Sequence, residues 1–138
     1  MKNNSLNKAR GCVYRLSVHI VFVTKYRRKV ITKEILDDLE KIFTRLCKNQ
    51  KCQLTDFNAE SDHCHLLVEL YPDVAPSKLV NTLKTVSSRL IRRDYKEHLE
   101  KFYHQKPVLW TGAYCIISTG GAPLEIIKKY IESQDAPT

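Results

Sequence analysis

Gln53-Leu54-Thr55-Asp56-Phe57-Asn58-Ala59-Glu60-Ser61-Asp62-His63-Cys64-His65-Leu66-Leu67-Val68-Glu69-Leu70-Tyr71 is the stretch whose reading decides the fold. Two strand-like runs flank the polar break Ser61-Asp62, so residues 53–60 and 63–71 read as a β-hairpin. Side chains alternate along a strand, which sets His63 and His65 on one face and Cys64 on the other. Imidazoles opening an otherwise apolar strand are not needed for packing. Two neutral imidazoles on one face can share a divalent ion, whereas Cys64, facing away, is disfavoured as a zinc ligand beside them.

Upstream, residues 13–24 alternate as one long strand, with Tyr14, Leu16, Val18, Ile20 and Phe22 on the core face and Arg15, Ser17 and His19 on the other. Residues 32–47 predict an amphipathic helix capped by Thr32, with Ile35, Leu36, Leu39, Ile42, Phe43 and Leu46 as its apolar stripe. Downstream, residues 76–93 predict a second helix whose core stripe is Leu79, Leu83, Val86 and Leu90, with Lys84, Ser88 and Arg92 opposite. Residues 94–107 show no strong period and read as a basic loop with some helix. Residues 110–119 read as a last strand, Gly120-Gly121 as a flexible joint, and Pro123 as the start of a final helix reaching Gln134. The order β-α-β-β-α-β predicts an α+β, ferredoxin-like (RRM-like) fold with both long helices on one sheet face. The other face is left for His63, His65 and the C-terminal helix. Residues 1–10 read as a short disordered leader and 11–138 as a single domain.

In the final helix Tyr130 and Gln134 stand one turn apart, and with Ile126, Ile127 and Ile131 they fall in an arc of ~140° at ~100° per residue. A Gln inside a buried arc needs a polar partner, which a metal ion or a simple hydrogen bond supplies. If this helix lies across the histidine strand, the Gln134 carbonyl oxygen completes a metal site at which the Tyr130 phenol also points. Two imidazoles, an amide and a phenol together point to metal-assisted phosphodiester chemistry. Tyr14, Tyr26, Tyr71, Tyr95, Tyr103 and Tyr114 are the competing phenols, with Tyr114 the strongest rival.

The chain has 138 residues and a formal net charge of +8, with cations spread through Lys25-Tyr26-Arg27-Arg28-Lys29, Arg89, Arg92-Arg93 and Lys128-Lys129. That favours an anionic partner, nucleic acid first. Five cysteines without CxxC spacing read as reduced thiols of a cytoplasmic protein. No stretch approaches the length of a membrane span.

Three segments, Val18-His19-Ile20-Val21-Phe22-Val23-Thr24-Lys25-Tyr26-Arg27, His63-Cys64-His65 and Lys128-Lys129-Tyr130-Ile131-Glu132-Ser133-Gln134, resemble in order and spacing the single-tyrosine HUH transposases of the IS200 class. The likeness runs from about Val13 to Gln134. It implies that Tyr130 is the nucleophile and that His63, His65 and Gln134 hold Mg²⁺ or Mn²⁺. It implies cleavage and rejoining of single-stranded DNA at insertion-sequence ends through a covalent 5′-phosphotyrosine link, and recognition of hairpins near those ends. A homodimer is also implied, with the tyrosine helix of one subunit completing the HUH site of the other. On this reading Arg27, Arg28, Lys84, Arg89 and Arg92 are assigned to DNA contact, and Gly120 and Gly121 to a hinge between cis and trans docking. Cys64, where bulkier aliphatic residues are common, and the small residues of Trp110-Thr111-Gly112-Ala113-Tyr114 depart from the pattern without touching the implied chemistry. A domesticated relative that processes chromosomal repeats would share this site. Rolling-circle initiators and relaxases use similar chemistry, usually in longer chains with another motif order. A non-enzymatic ferredoxin-like nucleic-acid-binding module would explain fold and charge but shows no metal dependence.

Overall fold

Four antiparallel strands, in the spatial order β4-β5-β3-β6, carry the architecture: β3 (Ser17–Val23), β4 (Gln53–Glu60), β5 (His63–Glu69) and β6 (Cys115–Ser118). The computed structural model describes residues 6–120 and 123–134. The connections are α1 (Lys33–Asn49) between β3 and β4, then α2 (Pro76–Asp94) and α3 (Lys96–Tyr103) between β5 and β6, with α4 (Pro123–Ser133) last. This is the ferredoxin-like order the sequence predicts.

Alternation sorts the sheet into two faces. Ile20 and Phe22 of β3 and Cys64, Leu66 and Val68 of β5 are buried in the main core with Ile35, Leu39 and Phe43 of α1 and Leu79, Leu83 and Ile91 of α2. On the opposite face Val21 and Val23 form a smaller cluster with Ile127 of α4, joined by Cys115, Ile117, Tyr130 and Ile131. Three layers result, with the long helices below and α4 above.

The helix starts follow from their caps. Thr32 Oγ1 accepts from Ile35 N at 3.2 Å, satisfying one of the free amides at the start of α1. Pro76 opens α2, where its missing N–H costs nothing. The buried stripe of α2 is rotated from the predicted one. Val80, Ser87 and Ile91 lie inside with Leu79 and Leu83, while Val86 and Leu90 are only half-buried. A serine faces inward because Trp110 Nε1 donates to Ser87 Oγ at 2.9 Å, and a buried indole N–H needs an acceptor.

Three expectations are corrected. The long strand at 13–24 is broken: β2 (Cys12–Tyr14) turns back on β1 (Asn7–Ala9) around Gly11 at φ 71°, and pairing with the central sheet starts only at Ser17. Glu69 fixes the break, its carboxylate accepting from Leu16 N at 2.6 Å, from Asn7 Nδ2 at 3.0 Å and from Ser17 Oγ. The disordered leader therefore does not extend to residue 10, and residues 1–5 lie outside the described residues. The segment read as a basic loop with some helix contains α3, whose weak period reflects that only Leu99 and Tyr103 are buried. The last strand is shorter than 110–119. Trp110 makes a single bridge to Thr24 and residues 111–114 leave the sheet before β6 begins at Cys115.

Candidate active site

The turn between β4 and β5 is fastened to the end of β3. Thr24, fully buried, donates to the Asp62 carbonyl from its backbone N at 2.9 Å and to the Arg28 carbonyl from Oγ1 at 2.6 Å, while Ile31 N donates to Ser61 O at 2.9 Å. The next residue is therefore set in position by backbone bonds on both sides of the turn. In the register His63 lies opposite Val23 and Glu60, and His65 opposite Val21 and Asn58, all on the α4 side of the sheet.

Each imidazole has its own partner. His63 Nδ1 is 2.8 Å from Asp62 Oδ1. An ionised carboxylate only accepts, so Nδ1 carries the proton and Nε2 keeps the lone pair of the neutral ring. Asp62 Oδ2 in turn lies 3.5 Å from Arg27 Nε. Arg27 arrives there through a left-handed pair, Tyr26 at φ 59° and Arg27 at φ 52°, a conformation that costs non-glycine residues about 1–2 kcal/mol each. His65 Nε2 is 2.7 Å from His19 Nδ1. Burial, then the neighbouring His19, lower the His65 pKa; Asp56 opposes this and His63 adds to it. His65 is thus a neutral imidazole at pH 7, the form a metal ion requires.

His19 is the functional neighbour that motif reasoning missed. Strand parity had already placed it opposite the core face of β3, and His65 opposite the core face of β5. Combining the two would have put both rings on one surface.

The C-terminal helix brings Tyr130 to the same face. Ile127, Tyr130 and Ile131 pack on Val21, Val23, Cys115 and Ile117, and Val21 and Val23 are the cross-strand neighbours of His65 and His63. The phenol of α4 therefore lies over the strand next to β5, on the sheet face that carries the imidazoles. Ile126, predicted inside, is 49% exposed, because the buried arc centres on Ile127. The Tyr130 hydroxyl is buried without a hydrogen-bond partner of good geometry. Burial raises its pKa above the ordinary phenol value, Cys115 adds to the rise and the nearby Thr111 opposes it. Gln134 Nε2 donates to the Tyr130 carbonyl at 3.3 Å and to Ser133 Oγ at 3.4 Å, turned back on its own helix. Among the described residues no hydrogen bond joins Gln134 to His63 or His65. Nor do three His, Cys, Asp or Glu side chains among the described residues converge as a metal cage. The rival phenol, Tyr114, is exposed in the 111–114 loop.

The basic residues assigned to DNA divide. Arg27 pairs with Asp62, Arg28 Nη1 donates to Phe102 O at 3.1 Å, and Lys84 Nζ donates to the carbonyls of Thr111 at 2.7 Å and Ala113 at 3.2 Å. Burial lowers the Lys84 pKa, with Lys25 adding to the effect. Lys84 thus ties down the loop beside Tyr130. Arg89 and Arg92 line a groove of about 680 Å³ with Arg93, Lys96 and Lys106, a surface suited to a polyanion. Gly120 is exposed with open space where a Cβ would stand, and Gly121 lies outside the described residues. No helix among the described residues is long and apolar enough to cross a membrane.

Residues 12–134 match the family model described as "Transposase IS200 like". The chain is 33% identical over 129 residues to the ISDra2 transposase TnpA of Deinococcus radiodurans, covering 94% of this chain and 91% of that protein. It is 28% identical to the transposase of insertion sequence element IS200 from Salmonella typhimurium, over 84% of this chain and 74% of that one. A crystal structure of a proposed transposase from Deinococcus radiodurans R1 superposes with a TM-score of 0.86 at 31% identity, covering 94% of this chain and 98% of the other. A REP-associated tyrosine transposase, solved bound to a REP hairpin, shares the fold at a TM-score of 0.52 and 9% identity, over 85% of this chain and 62% of that one.

Proposed function

The chain belongs to the IS200-like transposase family, a family of DNA-cleaving enzymes, and from that premise we propose that it cuts and rejoins single-stranded DNA at the ends of an insertion sequence with Tyr130 as nucleophile. The observation that carries this reading is the sheet face shared by His63 and His65 of β5 and by Tyr130 of α4, which packs over the neighbouring strand β3.

The chemistry runs through the phenol oxygen. Its bond to phosphorus forms as the bond from phosphorus to the 3′ oxygen breaks, leaving a 5′-phosphotyrosine and a free 3′-hydroxyl. A later 3′-hydroxyl reverses the step on another strand, so no nucleotide is hydrolysed. The donor set fits a divalent cation: His63 offers Nε2 because Asp62 holds Nδ1, and burial keeps His65 neutral. These two residues would hold Mg²⁺ or Mn²⁺, with the Gln134 carbonyl oxygen completing the site once its side chain leaves its own helix. Such an ion supplies charge neutralisation of the scissile phosphate and orients it for displacement.

The docked Tyr130 is a resting arrangement in this account. Its phenol is protonated, raised further by burial, and held on β3 and β6 of its own chain. Attack requires α4 to shift, and Gly120 at the foot of the helix gives the backbone freedom for it. Docking of α4 on a second copy of the chain, in a homodimer with composite sites, is the larger form of this movement. The partner DNA carries a hairpin near the element end, and the groove at Arg89 and Arg92 is a phosphate-binding surface for it. A cytoplasmic location follows from this substrate.

The test uses end-labelled single strands and duplexes of the element termini with purified protein. Cleavage of the single strand that needs Mg²⁺ and disappears in both His63→Ala and His65→Ala is expected. Tight binding without cleavage under any divalent cation would favour a non-enzymatic nucleic-acid-binding module.

A further inference from the structure

His63 and His65 are not held alike, and the difference bears on how the site is loaded. His63 is oriented through Nδ1, so its Nε2 is left for a ligand. In His65 it is Nε2 itself that is engaged, 2.7 Å from His19 Nδ1, with the ring planes 22° apart and centroids separated by 4.9 Å. A nitrogen contact that short is incompatible with rings lying face on face. The two imidazoles meet edge to edge, nitrogen to nitrogen. A ring nitrogen carries either one proton or one lone pair, directed along one axis in the ring plane. His65 Nε2 therefore cannot serve His19 and a cation together.

We propose that His19 is a latch on the metal site: it occupies His65 Nε2 in the resting protein, and a divalent cation engages His65 only by displacing it. The proposal rests on the reading of His63 and His65 as metal ligands given above. The cation would settle first on His63 and then compete with His19 for His65. His19 sits on β3 between Leu67 of β5 and Ile117 of β6 in the strand register, so its backbone is fixed and the side chain makes the exchange. His19 is a positioning residue here: it acts on the site through His65. Its effect is to lower resting affinity for the cation by about the worth of one neutral hydrogen bond, roughly five-fold.

The experiment is calorimetric titration of the full chain with Mn²⁺, comparing wild type, His19→Leu, His19→Asn and His63→Ala. Leu and Asn have the same branched shape, but only Asn places a donor nitrogen near the position of Nδ1. His19→Leu is expected to bind Mn²⁺ about five-fold more tightly, and His19→Asn to stay within about two-fold of wild type. Weaker binding by His19→Leu would make His19 a ligand and overturn the latch; unchanged binding would make it a bystander and overturn it too. A second measurement needs no variant: long-range proton–nitrogen spectra of the wild type with Mg²⁺ should show His19 and His65 ring nitrogens shifting together. His65 shifting while His19 stays put would contradict displacement. Mn²⁺ binding that is lost in His63→Ala but indifferent to His19→Leu sinks the latch alone. Absence of Mn²⁺ binding by wild type sinks the metal reading and the latch with it.

Discussion

Removing the Asp62 carboxylate tests whether the site is prearranged. Asp62 Oδ1 holds His63 Nδ1 at 2.8 Å, Oδ2 faces Arg27 Nε at 3.5 Å, and the side chain is 15% exposed. The two contacts differ in weight. The first is a short bond to a carboxylate that fixes both tautomer and ring direction; the second, at 3.5 Å, is an ion pair too long to be a hydrogen bond of good geometry. Loss of such an outer partner typically weakens metal affinity about 10–100-fold. Asp62→Ala should therefore weaken Mn²⁺ binding by that factor. Asp62→Asn keeps an acceptor oxygen but no charge, and should fall between Ala and wild type. Without metal, Asp62→Ala also leaves the half-buried Arg27 guanidinium unpaired, for a loss of about 1–2 kcal/mol of stability. Calorimetric Mn²⁺ titration and urea denaturation of the same samples separate the two effects. Wild-type Mn²⁺ affinity in Asp62→Ala, with the protein folded, would refute the reasoning.

Ser87→Ala strands the Trp110 indole N–H in the core and should cost about 1–3 kcal/mol in urea denaturation; a neutral result would mean that water replaces the hydroxyl. Tyr103, 2% exposed and donating to Lys25 O at 2.8 Å, has its pKa pushed up to about 12, chiefly by burial. Because the unfolded phenol ionises near 10, its stabilisation is complete below that pH and is lost between pH 10 and 12, about 2–3 kcal/mol in all. Tyr103→Phe should flatten that alkaline decline, and an unaltered slope would assign it elsewhere. Gly120→Pro combined with Gly121→Ala should slow strand rejoining more than DNA binding. Equal loss of both, in paired gel-shift and strand-transfer assays, would count against a hinge.

Strand parity and helical period made most of this fold legible. The hairpin starting at Gln53, the Thr32 cap and the Pro76 and Pro123 helix starts lie where local chemistry put them, although the second hairpin strand ends at Glu69 rather than Tyr71. What escaped depends on distant partners. The break before Ser17 is set by Glu69, fifty-two residues away, and the inward turn of Ser87 by the Trp110 indole. Lys84 looked like a free surface cation because its acceptors are carbonyls of a loop twenty-seven and twenty-nine residues on. In the site, parity put His63 and His65 on one face, and the helical wheel put Tyr130 on the side of α4 that packs on that face. The roles of Asp62 and His19 were not readable, because each depends on which atom of a ring faces which neighbour. Gln134 was read as inward-facing, yet its amide turns to the Tyr130 carbonyl, which the helix end leaves open because Gln134 N bonds Ile131 O instead.

The central claim is that Tyr130 forms a covalent link to DNA. The direct measurement is a denaturing gel of wild type and Tyr130→Phe after incubation with labelled single-stranded element ends, with and without Mg²⁺. The account predicts a protein–DNA adduct in the wild type with Mg²⁺ and none in Tyr130→Phe. An adduct that survives Tyr130→Phe would contradict it and move the nucleophile to another residue, Tyr114 first.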